Sequence, residues 1–292
     1  MIKYGSQHID RIYSKFFEPN LYFNSWLVPE ISYTSKHYSG SGGAIYVHRI
    51  NSLAPIAPNV PGRDFDLTKL ASDSLEQILL NNNFQCSRKL YDVHINAVGA
   101  ALAEENLAAA TAEVREGREQ SALAALISEG TRSANTSAVT ADNVKEVILS
   151  ERQALSEAKG NANVLLVSPS VYTALLSIAG KEFTPVQNDR IQMDGRVGNW
   201  YGFTVFECNG LTSGNDALYY DHENKLVTVS SDTMNKVGFI MYYSEAFSVV
   251  DNLSRYKLQD GGVTFNGVAA QVEVNTGFRV TNKVLARVHM TA

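Results

Sequence analysis

Apolar positions are spaced most regularly between Ala97 and Ser128, in the run AVGAALAEENLAAATAEVREGREQSALAALIS. Leu102, Leu107, Val114, Leu123 and Ile127 fall near one stripe at helical spacing. Glu104, Glu105, Glu113, Glu116 and Glu119 fall mostly away from it. The run is rich in alanine and has no proline, so helix propensity and periodicity agree. It predicts one helix over 97–128, roughly 48 Å long if unbroken. Gly117 is its soft point, and Glu129-Gly130 supplies a glycine C-cap.

The rest of the chain follows a different rhythm. Residues 1–39 hold nine aromatics, among them Trp26, without a sustained period. Such a segment cannot build its own core, yet it is too apolar for a free tail, so it lies along another surface. Ser39 to Gly43 form a flexible lead-in to AIYVHRI, a β-branched and aromatic strand at 44–50. Pro55, Pro58, Pro61 and Gly62 then break regular structure, and strand-like segments return from Ser74 to Tyr91. Residues 40–91 thus read as a long two-stranded excursion, with too little apolar surface to stand alone.

Beyond the long helix, Thr140 to Asn143 cap a second helix reaching Lys159, and NVLLV at 163–167 is a short buried strand. Ser168-Pro169-Ser170 cap a third helix, 171–178. Residues 180–198 read as a surface loop, and 200–207 as one strand around a close-approach glycine, Gly202. Strands follow at 217–220, 226–230 and 238–243, an extended or mixed stretch at 247–258, and strands at 261–265, 267–276 and 278–288. The fold class is α+β: one long helix, mixed strands and two shorter helices.

Composition narrows the chemistry. The chain has 292 residues, 45% of them hydrophobic and 19% charged, with a net charge of −5 and no Lys/Arg block. That disfavours clamping of nucleic acid phosphates. Two cysteines, Cys86 and Cys208, make no disulfide framework. The N-terminus lacks an apolar signal segment, and no apolar run approaches the roughly 20 residues a membrane helix needs, so a cytoplasmic start and no membrane partner are expected. Phosphate-loop, dinucleotide, zinc and nucleophile-elbow signatures are missing, so no cofactor, metal or catalytic residue is expected. Asp221-His222-Glu223 reads as a hairpin turn, and Ser168 as a helix cap. Arg63 and Lys69 sit on the excursion, where they can pair with acidic groups of a partner.

The order of parts resembles the major capsid protein of tailed bacteriophages, the Hong Kong 97-like fold also seen in encapsulins. The resemblance rests on an N-terminal arm, a hairpin excursion like the family's E-loop, the 97–128 helix as its spine, the phrase NVLLVSPSVYTALLSIAG and the phrase GNWYGFTV at 198–205. It implies an arm at 1–39, an E-loop hairpin at 40–91, a peripheral domain at 92–135 and 251–292, and an axial domain at 136–250. It implies a non-enzymatic subunit that self-assembles, as hexamers and pentamers, into an icosahedral shell enclosing double-stranded DNA without sequence-specific binding. Trp26, Arg49, Arg63 and Lys69 are the inter-subunit contact residues expected on this reading. The location implied is the virion capsid, assembled in a host bacterial cytoplasm. Portal, scaffolding and decoration proteins are the further partners the resemblance allows, with scaffolding either supplied by a separate protein or dispensed with. An encapsulin-like compartment holding cargo, and an α+β enzyme with an unrecognised site, remain the alternatives.

Overall fold

The computed structural model describes residues 26–27, 44–50, 73–91, 101–158, 160–178, 184–185, 196–260 and 266–292. In chain order, strands β1 (Ala44–Ile50), β2 (Asp73–Leu79) and β3 (Asn82–Tyr91) precede helix α1 (Ala101–Glu129). Then come β4 (Thr131–Arg132), α2 (Val144–Glu157), β5 (Val164–Val167), α3 (Pro169–Ser177), β6 (Thr184–Pro185), β7 (Arg196–Trp200) and β8 (Phe203–Glu207). The remainder comprises β9 (Ala217–Tyr220), β10 (Leu226–Val229), α4 (Ser231–Asn235), β11 (Val237–Tyr242), β12 (Phe247–Asp260), β13 (Gly267–Val280) and β14 (Ala286–Met290).

Among the described residues these strands form four sheets. The central one has the order β4-β14-β11-β5-β8-β7-β6. Its inner strands β5 (VLLV) and β11 (VGFIMY) are buried at every position, as continuous apolar runs require when both faces are covered. Alternation sorts the side chains. Leu165, Val167, Phe239 and Met241 join Val144, Ile148, Val171 and Leu175 of α2 and α3. Val164, Leu166, Ile240 and Tyr242 join Leu123 and Leu126 of α1 on the opposite face.

Helix α1 is 29 residues long and spans two sheets. Its C-terminal half, 121–127, is buried throughout against the central sheet. Its N-terminal half lays Ala110 and Val114 on Val272 and Val274 of the three-stranded sheet β12-β13-β3. The end lies where Glu129-Gly130 placed it. Gly130 N–H donates to the Leu126 carbonyl at 2.9 Å, and a β-carbon at 130 would meet that oxygen at 2.6 Å. Residues 97–100 lie outside the described residues.

Several sequence expectations change. Residues 82–91 do not continue the excursion: β1 and β2 pair with each other, from Ala44↔Leu79 to Ile50↔Asp73, whereas β3 pairs with β13, from Asn82↔Thr276 to Tyr91↔Gly267. Gly202 does not sit inside a strand. Tyr201 (φ 46°) and Gly202 (φ 85°) form a two-residue turn between β7 and β8, and Gly202 has nothing near its missing β-carbon. Residues 247–258 belong to one 14-residue strand, β12, with a register shift between Asp251 and Leu253. The break expected after Thr276 is absent: β13 runs through Gly277 to Val280. The last strand does not join β12 and β13: β14 inserts between β11 and β4 in the central sheet. Glu119, read as lying off the apolar stripe, is buried.

Candidate assembly surfaces

The β1–β2 ribbon is attached at its base. Ile45 and Val47 pack with Ile78, Leu80 and Val250, while Tyr46 between them points outward and is 59% exposed. An ion pair joins Arg279 of β13 to Glu76 of β2. Glu129 closes the same junction from the end of α1. Its carboxylate accepts the Val280 N–H at 2.8 Å and the Tyr219 hydroxyl at 3.4 Å. Burial raises the Glu129 pKa above the ordinary carboxylate range, against the Val280 bond and the positive charges of Arg279 and Lys283.

The β9–β10 hairpin presents a second apolar face. Leu218, Tyr220 and Leu226 are exposed on one side, Leu226 directly opposite Tyr220, while Ala217, Tyr219 and Val229 on the other side are buried in the core beside α1. The hairpin is braced by Asn82 at the start of β3. Asn82 Oδ1 accepts the Tyr220 N–H at 2.8 Å and Asn82 Nδ2 donates to the Tyr220 carbonyl at 3.2 Å, two bonds that imitate a strand partner. Asn81 Nδ2 donates to the Asp221 carbonyl at 3.2 Å. An open groove of about 440 Å³ runs beside this hairpin, lined by Phe84, Glu116, Gly117, Gln120, Asp216 and Leu218 among others.

The structure treats the expected contact residues differently. Trp26 is corrected: its side chain is fully buried in the chain's own core, with its backbone N–H donating to Glu119 Oε2 at 3.3 Å, so the ring offers no surface to a neighbour. Glu119 in turn accepts from Arg115 Nε at 3.3 Å. Arg49 lies on β1 opposite Ser74. Arg63 and Lys69 lie outside the described residues. Glu76, Asn82, Glu119 and Glu129 were missed from sequence because nothing local distinguishes a structural carboxylate or amide from a solvated one.

The candidate chemical groups are occupied in structural ways. Asp221 Oδ1 accepts the N–H groups of Glu223 (2.8 Å) and Lys225 (2.9 Å), closing the β9–β10 turn with Asn224 at φ 60°. Those two bonds hold the Asp221 pKa below its ordinary value, against the opposing effect of burial. Ser168 sits at the N-cap position of α3, but its hydroxyl lies 3.0 Å from that of Ser170 instead of on the helix backbone. Burial pushes the Cys208 thiol far up, which keeps it protonated, and burial followed by Glu113 raises Cys86. Among the described residues no helix is long and apolar enough to cross a membrane.

Among the described residues, one long helix spans the central and three-stranded sheets, and the β1–β2 ribbon meets the body where β2 adjoins β13. The family model described as "Phage capsid protein" matches residues 88–290. No curated protein sequence matches the chain. Solved structures similar to it include one from Mycobacterium phage Che8, at 15% identity and TM-score 0.67, covering 96% of each chain. The capsid structure of cyanophage P-SCSP1u is similar at 15% identity and TM-score 0.67, covering 96% of this chain and 93% of that one. The mature capsid of bacteriophage PhiM1 is similar at 14% identity and TM-score 0.63, covering 97% and 91%. The chain belongs to the phage capsid protein family. Its place is the bacteriophage capsid, as a structural protein with the fold of the major capsid protein.

Proposed function

We propose that this protein is the non-enzymatic major capsid subunit whose copies assemble, as pentamers and hexamers, into an icosahedral virion shell around double-stranded DNA. The observation that carries the reading is the ribbon: Ile45 and Val47 of β1 pack on the chain's own body, and Tyr46 stands exposed between them. A two-stranded ribbon is marginal in water alone, so covering its outer side on adjacent copies stabilises it, and weak contacts repeated around a closed shell become cooperative. The net charge of −5 suits a wall that does not trap packaged DNA. Assembly takes place in the host bacterial cytoplasm, with a portal and decoration proteins as further partners and scaffolding either supplied by a separate protein or dispensed with. Electron microscopy of particles made from the purified chain tests this. Icosahedral shells with pentameric and hexameric clusters support it. A monomer that never assembles at any salt or concentration, or small uniform shells filled with a cargo enzyme, would overturn it.

A further inference from the structure

His289 on β14 is 0% exposed, and neither of its ring nitrogens has a hydrogen-bond partner. A neutral imidazole carries one donor and one acceptor, so both are buried without compensation. The ring lies flat on Phe239, its register partner on β11, with centroids 4.7 Å apart and planes at 5°. Gly238 borders the ring at its Nδ1 edge. A β-carbon there would stand 3.1 Å from Nδ1, with Val139 and Val171 packed around the same point.

Two charged groups face this region. Arg287 lies two residues earlier on the same side of β14, and Glu151 comes from α2 above it; β11 and α3 offer Gly238, Phe239 and Val171. Glu151 is already engaged, accepting from Ser133 Oγ at 2.6 Å and from Arg287 Nη1 at 3.4 Å. Burial lowers the His289 pKa below its ordinary value, and the Glu151 charge opposes this without cancelling it. On its outer side the strand that carries His289 is held by the short β4, through the pairs Arg287↔Thr131 and Val288↔Arg132, and by the Ser133 N–H donating to the Val288 carbonyl at 2.8 Å.

We propose that His289 is an acid-sensitive latch: as a neutral imidazole it seals β14 into the central sheet, and on protonation it leaves its pocket and releases β14 together with β4. Glu151 makes the change two-state, because its carboxylate pairs with Arg287 in the closed form and is the acceptor an emerging imidazolium takes in the open one. The folded form disfavours the proton and the opened form accepts it near pH 6.5, so the closed state loses stability as pH falls below about 6.5. The latch belongs to the single subunit and is independent of the shell it builds.

The test is amide hydrogen exchange on the full-length chain at pH 7.5 and pH 5.0, each corrected for intrinsic exchange. Protection of residues 286–290 is expected to fall about tenfold or more in the native protein at pH 5.0. In His289→Leu and His289→Phe the same segment is expected to change less than threefold. Equal pH responses in native protein and either variant would overturn the proposal. If neither variant folds, the native protein decides alone: unchanged protection of 286–290 at pH 5.0, or a loss spread evenly over all the central strands, also overturns it.

Discussion

Gly277 of β13 lies directly against the carbonyl of Leu79, where β2 ends. A β-carbon at 277 would stand 2.6 Å from that oxygen, 2.9 Å from Leu80 Cδ2 and 3.0 Å from Ile78 Cγ2. This close approach joins the root of the ribbon to the body, so the glycine that reads as a strand break in sequence is a crossing point in the fold. Gly277→Ala must push a backbone carbonyl aside and is expected to cost about 2–3 kcal/mol in urea unfolding. Gly202→Ala meets no neighbour but must adopt φ 85°, and its expected cost is about 1 kcal/mol. Equal costs at the two sites would refute the distinction between crowding and conformation.

Glu129 supplies a pH dependence of the opposite sign to that of His289. Its folded-state pKa is raised, so the folded protein holds a proton that the unfolded chain releases above about pH 4.5. Its contribution is present below that value and is lost as pH rises through the raised folded value. Glu129→Gln retains an acceptor for the Val280 N–H and cannot ionise. Unfolding free energies measured from pH 4.5 to 8 should fall less steeply with rising pH in the variant. Parallel curves would show that the carboxylate is not strained by burial.

Asn82 replaces a missing strand for Tyr220. In Asn82→Ala the Tyr220 N–H and carbonyl lose their two partners, at an expected cost of about 2 kcal/mol. The loss should concentrate in the hairpin: exchange at 217–229 accelerates more than exchange in β5 or β11. Uniform acceleration would argue that the hairpin and the central sheet open as one unit.

Tyr46 separates folding from assembly. Its side chain is exposed, so Tyr46→Asp should change the subunit's unfolding free energy by less than about 0.5 kcal/mol. On the shell reading the same change reduces particle yield by at least tenfold, scored by sedimentation. Normal yields from Tyr46→Asp would remove the outer side of the ribbon from the assembly contacts.

What the residues disclosed on their own was the set of local decisions. Helix α1 was legible because alanine, leucine and glutamate favour helix wherever they stand, and Gly130 ends it through a carbonyl four residues away. Strands β5 and β11 were legible because an unbroken apolar run has to be covered on both faces. From such elements, in order, the capsid fold and its family could be read. Pairing across long separations was not legible. Strand β3 finds β13 some 180 residues on, β14 returns to the sheet built around β5, and Trp26 turns inward onto Glu119. None of these partners is encoded by spacing, because each depends on which surfaces remain uncovered once the local elements have formed. The same holds for Glu129 and His289. Their residue types were visible from the start, but only burial by distant segments turned two ordinary ionisable side chains into groups that respond to pH.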